Sequence, residues 1–436
     1  MIDFAKYHRS LEQINPIRVH GKVSEIIGLV VEGHGPAASI GEVCMIASGG
    51  LEKQLPAEVV GFKKGKVLLM PLHSMQGIGP GCKIMSMGRK ASVHVGKNLL
   101  GRVIDGLGNP IDNHGAIECE KEYPIYADPI NPLKRRRIAE PMDLGIRALN
   151  GVLCCGKGQR MGIFSGSGVG KSVLMGMMAR NTKADVNVIG LIGERGREVR
   201  EFLEKNLGEE GLSRSVVVVA GSDSHPLIRM RAAYVATTIS EYFRDLGNDV
   251  LLMVDSLTRF AMAQREIGLS VGEPPATKGY TPSVFSLLPK LLERSGTLEG
   301  RGSITGLYTV LVEGDDFNEP ISDASRSILD GHIYLTRDLA NKNHYPAIDI
   351  LQSVSRVMND IVDEQHRQLA KKIVNVLATY KKAEDLINIG AYVQGSNPDI
   401  DYAIAMVERV NRFLRQDIGE KIDFQETKKQ MFSLFE

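Results

Sequence analysis

The stretch 164-FSGSGVGKSVL-174 carries an apolar run into three alternating glycines, then a lysine and a hydroxyl. In that order the glycines let backbone N–H groups converge on phosphate oxygens, the lysine reaches the outer phosphates, and the hydroxyl holds Mg²⁺. Gly166, Ser167, Gly168, Val169, Gly170, Lys171, Ser172 and Val173 are therefore the candidate phosphate-binding residues. Ser165 stands where the strict pattern has glycine, and Gly166, Gly168 and Gly170 supply the turn instead. Such a loop needs a metal-side acid at the end of a neighbouring strand. In 249-DVLLMVDSLTR-259, Asp255 follows an apolar run and fits, whereas Asp249 precedes the run and lies at the wrong end. A second acid, Glu194, ends the run 186-VNVIGLIG-193. Ligands of open α/β sheets sit at the carboxyl ends of strands, so Glu194 falls on the reactive edge. It is a candidate base to orient an attacking water, with Arg195 beside it to anchor a phosphate or brace the glutamate. Glu198, Glu201 and Glu204 lie on the helix that follows, where charges are usually solvated.

These residues need elements to hold them. From Pro16 to about Gly88, short β-type runs broken by glycine (VSEIIGLVVEG, EVCMI, AEVVGF, KVLLMPL) predict a small antiparallel barrel. From about residue 90, continuous apolar runs (RMGIF, NVIGLIG, SVVVVA, DVLLMVD, TGLYTVLV, GHIYLT) alternate with helical patterns, as buried parallel strands do. Val235, Ile239, Tyr242 and Leu246 recur as the stripe of an amphipathic helix between two of them. This texture ends near Asn359. Beyond it, Asn397-Pro398 and 423-DFQE-426 are helix starts, so residues 360–436 predict a helical domain. The expected class is multidomain α/β: residues 1–16 an N-terminal segment, 17–89 a β-barrel, 90–359 a RecA-like P-loop nucleotide-binding domain, 360–436 helices.

The bulk numbers narrow the partners. A net charge of +1 argues against a general polyanion binder. The five cysteines are odd in number and lack C-x-x-C spacing, which fits a reducing compartment rather than a disulfide framework or zinc site. The first residues carry scattered charges and no signal-peptide core, and no apolar run approaches the roughly 18 residues of a bilayer span. A cytoplasmic chain is expected.

Taken together, GSGVGKS, GERGREV, LLMVDSLTR, GYTP and YPAIDILQSVSR resemble the catalytic subunits of rotary ATP synthases and their relatives, and within these the flagellum-specific ATPases of type III protein export. The likeness runs from about residue 17 to the end. It implies ATP and Mg²⁺ as ligands, with Lys171 and Ser172 on the phosphates and metal, and Asp255 as the Walker B acid. Glu194 matches the glutamate that polarises the lytic water; non-catalytic ring subunits resemble the family with glutamine there. Arg195 and Arg259 match arginines near the γ-phosphate, Tyr345 the aromatic that stacks on adenine, and Phe413 a second wall. Arg356 matches an arginine finger acting on a neighbour's nucleotide; without the resemblance the sequence favours a buried salt bridge after the last strand. The resemblance further implies a homohexameric ring, a dimeric ATPase regulator, a central stalk protein, export-gate membrane proteins, and export substrates with their chaperones. It also implies peripheral attachment to the inner face of the cell membrane at the flagellar base.

Four readings compete. A ring-shaped RNA translocase with the same core should carry several aromatics among basic residues in its barrel; between Ile17 and Gly88 there is one, Phe62, so no nucleic-acid partner is expected. Against a synthase subunit stand 272-GEPPATKGYTPSVFSLLPKLLERSG-296, 386-LINIGAYVQGS-396 and the lack of an acidic rotor-binding cluster. Between flagellar and virulence export, 194-ERGREVREF-202 tilts the reading to flagellar. The run 134-KRRR-137 reads as a solvated loop, Asp315-Asp316 as an acidic turn at a strand end, and Phe4, Tyr7, Leu11 and Ile14 as a short apolar stripe that could bind the regulator or pack on the barrel.

Overall fold

A computed structural model describes residues 19–47, 54–300, 302–312, 314 and 316–436. The Phe4–Ile14 stripe and Asp315 lie outside the described residues. The chain forms two compact units, one of residues 1–92 with 266–274, the other of 93–265 with 275–436.

In the first unit, six antiparallel strands close a barrel: β1 (His20–Ile27), β2 (Val30–His34), β3 (Glu42–Ala47), β4 (Gln54–Lys63), β5 (Lys66–Pro71) and β6 (Lys83–Lys90). Its spatial order is β1-β2-β5-β4-β3-β6, and β6 returns to pair with β1. Closure removes the free edges that would otherwise invite pairing with another chain. Alternate residues such as Val31, Ile46, Val59 and Leu69 point inward and fill it.

The second unit is built on β7 (Val103–Asp105), β8 (Arg160–Ser165), β9 (Val186–Glu194), β10 (Ser215–Gly221), β11 (Asp249–Asp255), β12 (Gly296–Thr297), β13 (Ser303–Leu311), β14 (Gly331–Leu335) and β15 (Ile348–Ser355). Eight of them run β15-β14-β8-β13-β11-β9-β10-β7, and β12 flanks β13. All neighbours from β14 to β7 are parallel; β15 joins β14 antiparallel. Burial on both faces explains the unbroken apolar runs. Helix α1 (Lys171–Asn181) follows β8, and α2 (Pro226–Asp245) packs on β9 and β11. Val235, Ile239 and Tyr242 are buried, but so is most of the rest of α2; Leu246, one residue past its end, is 43% exposed. The expected stripe is thus part of an almost wholly buried helix that stops one residue early.

Three helices close the unit: α3 (Glu364–Asn388), α4 (Pro398–Leu414) and α5 (Phe424–Ser433). Their starts obey the sequence signals. Asn397 Oδ1 accepts from Asp399 N–H at 2.9 Å, with Pro398 at the first helical position, and Asp423 accepts from Glu426 N–H at 2.8 Å.

The basic run is exposed over most of its length, as expected of a solvated loop, but it is also fastened down. Arg135 reaches Glu293 and donates to the carbonyl of Ser295 at 2.7 Å, and Arg136 donates to that of Leu298 at 2.8 Å. Lys134, Arg136 and Arg137 stay exposed, with Arg137 paired with Asp360, and only Arg135 is partly buried. The run staples a proline-rich connection onto the turn after residue 292, using partners too far along the chain for local pattern to reveal.

Candidate active site

The parallel order brings the ends of β8, β9 and β11 to one edge, and the predicted acids arrive there with the glycine-rich loop. Gly168 (φ +78°) and Gly170 (φ +90°) hold the left-handed backbone that turns β8 into α1. Lys171 opens α1, and its Nζ lies in hydrogen-bond contact with Asp255 Oδ1 at the end of β11 and 3.8 Å from Glu194 Oε1 at the end of β9. Thr309 on β13 donates to the same Asp255 oxygen at 2.6 Å. Two strand-end acids and the lysine that opens α1 thus form one charged cluster, with side chains only 4–17% exposed.

Burial pushes the Glu194 carboxyl up to about 7, the Asp255 charge adds to the rise, and Lys171 opposes it. A carboxylate poised near neutrality suits a general base. Gly193 makes room beside it: a Cβ there would meet the Arg259 side chain at 3.0 Å. The Arg259 Nε is buried without a hydrogen-bond partner among the described residues, and its Nη1 reaches Met262 Sδ at 3.7 Å. Arg195 is mostly solvent-exposed and lies 3.8 Å from Glu198, while Arg200–Glu204 and Glu201–Lys205 pair along the exposed face of the following helix. Those later charges are a solvated face.

The residues fit a magnesium nucleotide. Ser172 is exposed in the first turn of α1. Among the described residues both hydrogen bonds to Asp255 go to Oδ1, which leaves Oδ2 as an acceptor toward a hydrated cation.

Next to the loop lies a cavity of about 580 Å³ bounded by Val169, Gly170, Val173, Tyr345 and Ile418. Tyr345 is 42% exposed and its ring leans over Gly170, 3.4 Å from where a Cβ would stand. Phe413 requires a correction. Its ring is buried against Gly151 and Met431 and faces a different hollow beside Arg147, so it does not line the cavity of Tyr345. The turn after α4, Gln416–Ile418, also lines the cavity and has no aromatic to advertise it.

Arg356 is exposed, donates to the Arg326 carbonyl at 3.3 Å, and has no ion pair among the described residues. The buried salt bridge is therefore not found. Its backbone N–H bonds to Asp330, whose N–H in turn bonds to Arg160 at the start of β8. The phosphate loop leaves the other end of that six-residue strand. At about 3.3 Å per residue the two lie roughly 20 Å apart, on opposite edges of the sheet. Asp316 sits in an exposed turn, taking Lys278 at 3.2 Å, as expected of a strand-end acid.

Barrel, phosphate-loop sheet and helical region in this order define the class. Residues 23–88 and 145–355 match models described as the β-barrel and nucleotide-binding domains of the ATP synthase alpha/beta family, and this chain belongs to that family. Residues 362–433 match the T3SS EscN ATPase C-terminal domain. The chain is 54% identical to the flagellum-specific ATP synthase of Bacillus subtilis, covering 94% of both chains. It is 50% identical to the type 3 secretion system ATPase of Xanthomonas euvesicatoria, covering 96% of this chain and 95% of the relative. The solved structure of the assembled ATPase EscN from the enteropathogenic E. coli type III secretion system superposes with a TM-score of 0.90 at 46% identity, over 95% of this chain and 99% of that one. A second, of EscN in complex with its central stalk EscO, gives 0.88 at 46%, with the same coverage.

Proposed function

We propose that this chain hydrolyses ATP to ADP and phosphate and that the cycle serves type III export of flagellar proteins. The observation that carries the reading is the buried Lys171–Asp255–Glu194 cluster at the mouth of the glycine-rich loop. Loop N–H groups and Lys171 hold the β- and γ-phosphates. Ser172 and Asp255 hold Mg²⁺, which supplies charge neutralisation on those oxygens. Glu194 orients a water in line with the bond from the γ-phosphorus to the bridging oxygen and takes its proton as that bond breaks. Arg259, and Arg195 from the solvent side, face the γ-phosphate, and Tyr345 stacks on the adenine. Arg356, on the far edge of its own sheet, completes the site of the next subunit in a ring, most simply a homohexamer.

The export-type C-terminal match supports an export ATPase over a rotary synthase subunit. The relatives at 54% and 51% identity from Bacillus subtilis and Pseudomonas aeruginosa are flagellum-specific and favour the flagellar system. The 50% relative from Xanthomonas keeps virulence secretion as the second reading. A central stalk partner accords with the EscN–EscO complex. A dimeric regulator binding residues 1–15, export-gate membrane proteins, and substrates with their chaperones complete the proposal. No helix among the described residues is long and apolar enough to cross a membrane, so attachment to the inner face of the membrane would be peripheral.

The test is ATP hydrolysis per subunit as the purified chain is concentrated. Specific activity that climbs with concentration is expected, because assembly completes each site. A chain that binds ATP and stays inactive at every concentration would point instead to a missing partner subunit and to the synthase reading.

A further inference from the structure

The turn that follows α4 does more than bound the base cavity. Gln416 is 5% exposed, and every hydrogen-bonding atom of its amide is used. Its Oε1 accepts from the backbone N–H of Arg147 at 2.8 Å, and its Nε2 donates to the carbonyls of Gly145 at 2.9 Å and Glu420 at 3.1 Å. Its own backbone N–H donates to the carbonyl of Tyr345 at 2.9 Å. One residue therefore joins three segments distant in sequence: the start of the phosphate-loop domain, the approach to β15 that carries Tyr345, and the turn that carries Ile418. Arg180, near the end of α1, adds a bond to the Ile418 carbonyl at 3.0 Å, and Arg147 pairs with Glu420. Tyr345, Gln416 and Ile418 all line the cavity.

We propose that Gln416 is a positioning residue for the nucleotide base: it fixes the gap between the Tyr345 and Ile418 walls so that a flat heteroaromatic base enters an already formed slot. The inference rests on the reading of this cavity as the base site. A saturated amide suits the task because it offers one acceptor and two donors in a plane, and no other side chain of that length does. Glutamate at 416 would keep the shape yet turn two donors into acceptors facing carbonyl oxygens. Methionine would keep the length and leave the backbone groups unpaired. None of these Gln416 bonds reaches the glycine-rich loop, so loss of the amide loosens the base and spares the phosphates.

The test compares ATP with inorganic tripolyphosphate, which has the phosphates and no base, on the full-length chain. In Gln416→Glu and Gln416→Met, KM for ATP is expected to rise about tenfold while kcat falls less than twofold, and inhibition by tripolyphosphate is expected to hold its wild-type constant. Retained tripolyphosphate inhibition also reports that the variant is folded. Tyr345→Ala runs beside them. If Tyr345→Ala raises KM and neither Gln416 variant does, or if the Gln416 variants lose tripolyphosphate binding together with ATP, the positioning role is overturned. If Tyr345→Ala also leaves KM unmoved, it is the assignment of the base site that fails.

Discussion

At the scale of single residues, Glu194 is the decisive group. Glu194→Gln keeps the shape and removes the base, so nucleotide binding is expected to persist while kcat falls by roughly 10²–10⁴. Single-turnover hydrolysis beside equilibrium binding checks this, and near wild-type turnover would remove Glu194 from the role. The pH profile follows from the same carboxyl. With its proton affinity raised to about 7, Glu194 carries a proton below that pH and cannot accept another. Accordingly kcat/KM of the assembled enzyme should fall about tenfold per unit below pH 7 and level off above it. A wild-type profile flat from pH 5.5 to 8 would contradict the assignment. Glu194, Lys171 and Asp255 were legible in the sequence because each abuts a long apolar run or a glycine-rich turn. Phe413 came from the family resemblance, which implied a second wall there, whereas that ring packs behind Gly151. The cavity beside Tyr345 is instead lined by Ile418, an aliphatic side chain in a turn without regular spacing.

Among elements, what pattern reading missed is long-range polar fastening. Arg294 is fully buried and bonds Glu241 through two nitrogens at 2.8 and 2.5 Å, Thr238 at 2.8 Å and the carbonyl of Ile125 at 2.5 Å. It ties the connection between β7 and β8 to the second half of α2. Nothing in 290-KLLERSG-296 separates it from a surface arginine, since its partners lie 53–169 residues away. Arg294→Met leaves Glu241 buried and unpaired and should destabilise the chain by about 3–5 kcal/mol, whereas the double change Arg294→Met with Glu241→Leu should recover most of that loss. Denaturant midpoints of the three variants measure it; equal losses in the single and double variants would deny the pair its coupling. The barrel strands and the starts of α4 and α5, by contrast, were readable in advance, because alternation and capping residues act through neighbours a few positions away.

For the whole molecule the separation of Arg356 from its own phosphate loop matters most. Arg356→Ala alone and Lys171→Ala alone should both be nearly inactive. Mixed in equal amounts they should regain about a quarter of wild-type activity, since that share of sites pairs an intact loop with a neighbour's intact finger in a head-to-tail contact. A mixture no more active than its parts would end the trans assignment. If Arg356 acts in trans, the edge that gives the arginine and the edge that receives one are different surfaces of the same subunit, and the assembly has a direction. An open string of subunits has one end whose nucleotide receives no finger and another whose finger meets no nucleotide. A pair then holds one finished site, a string of five holds four, and only joining the ends supplies the last.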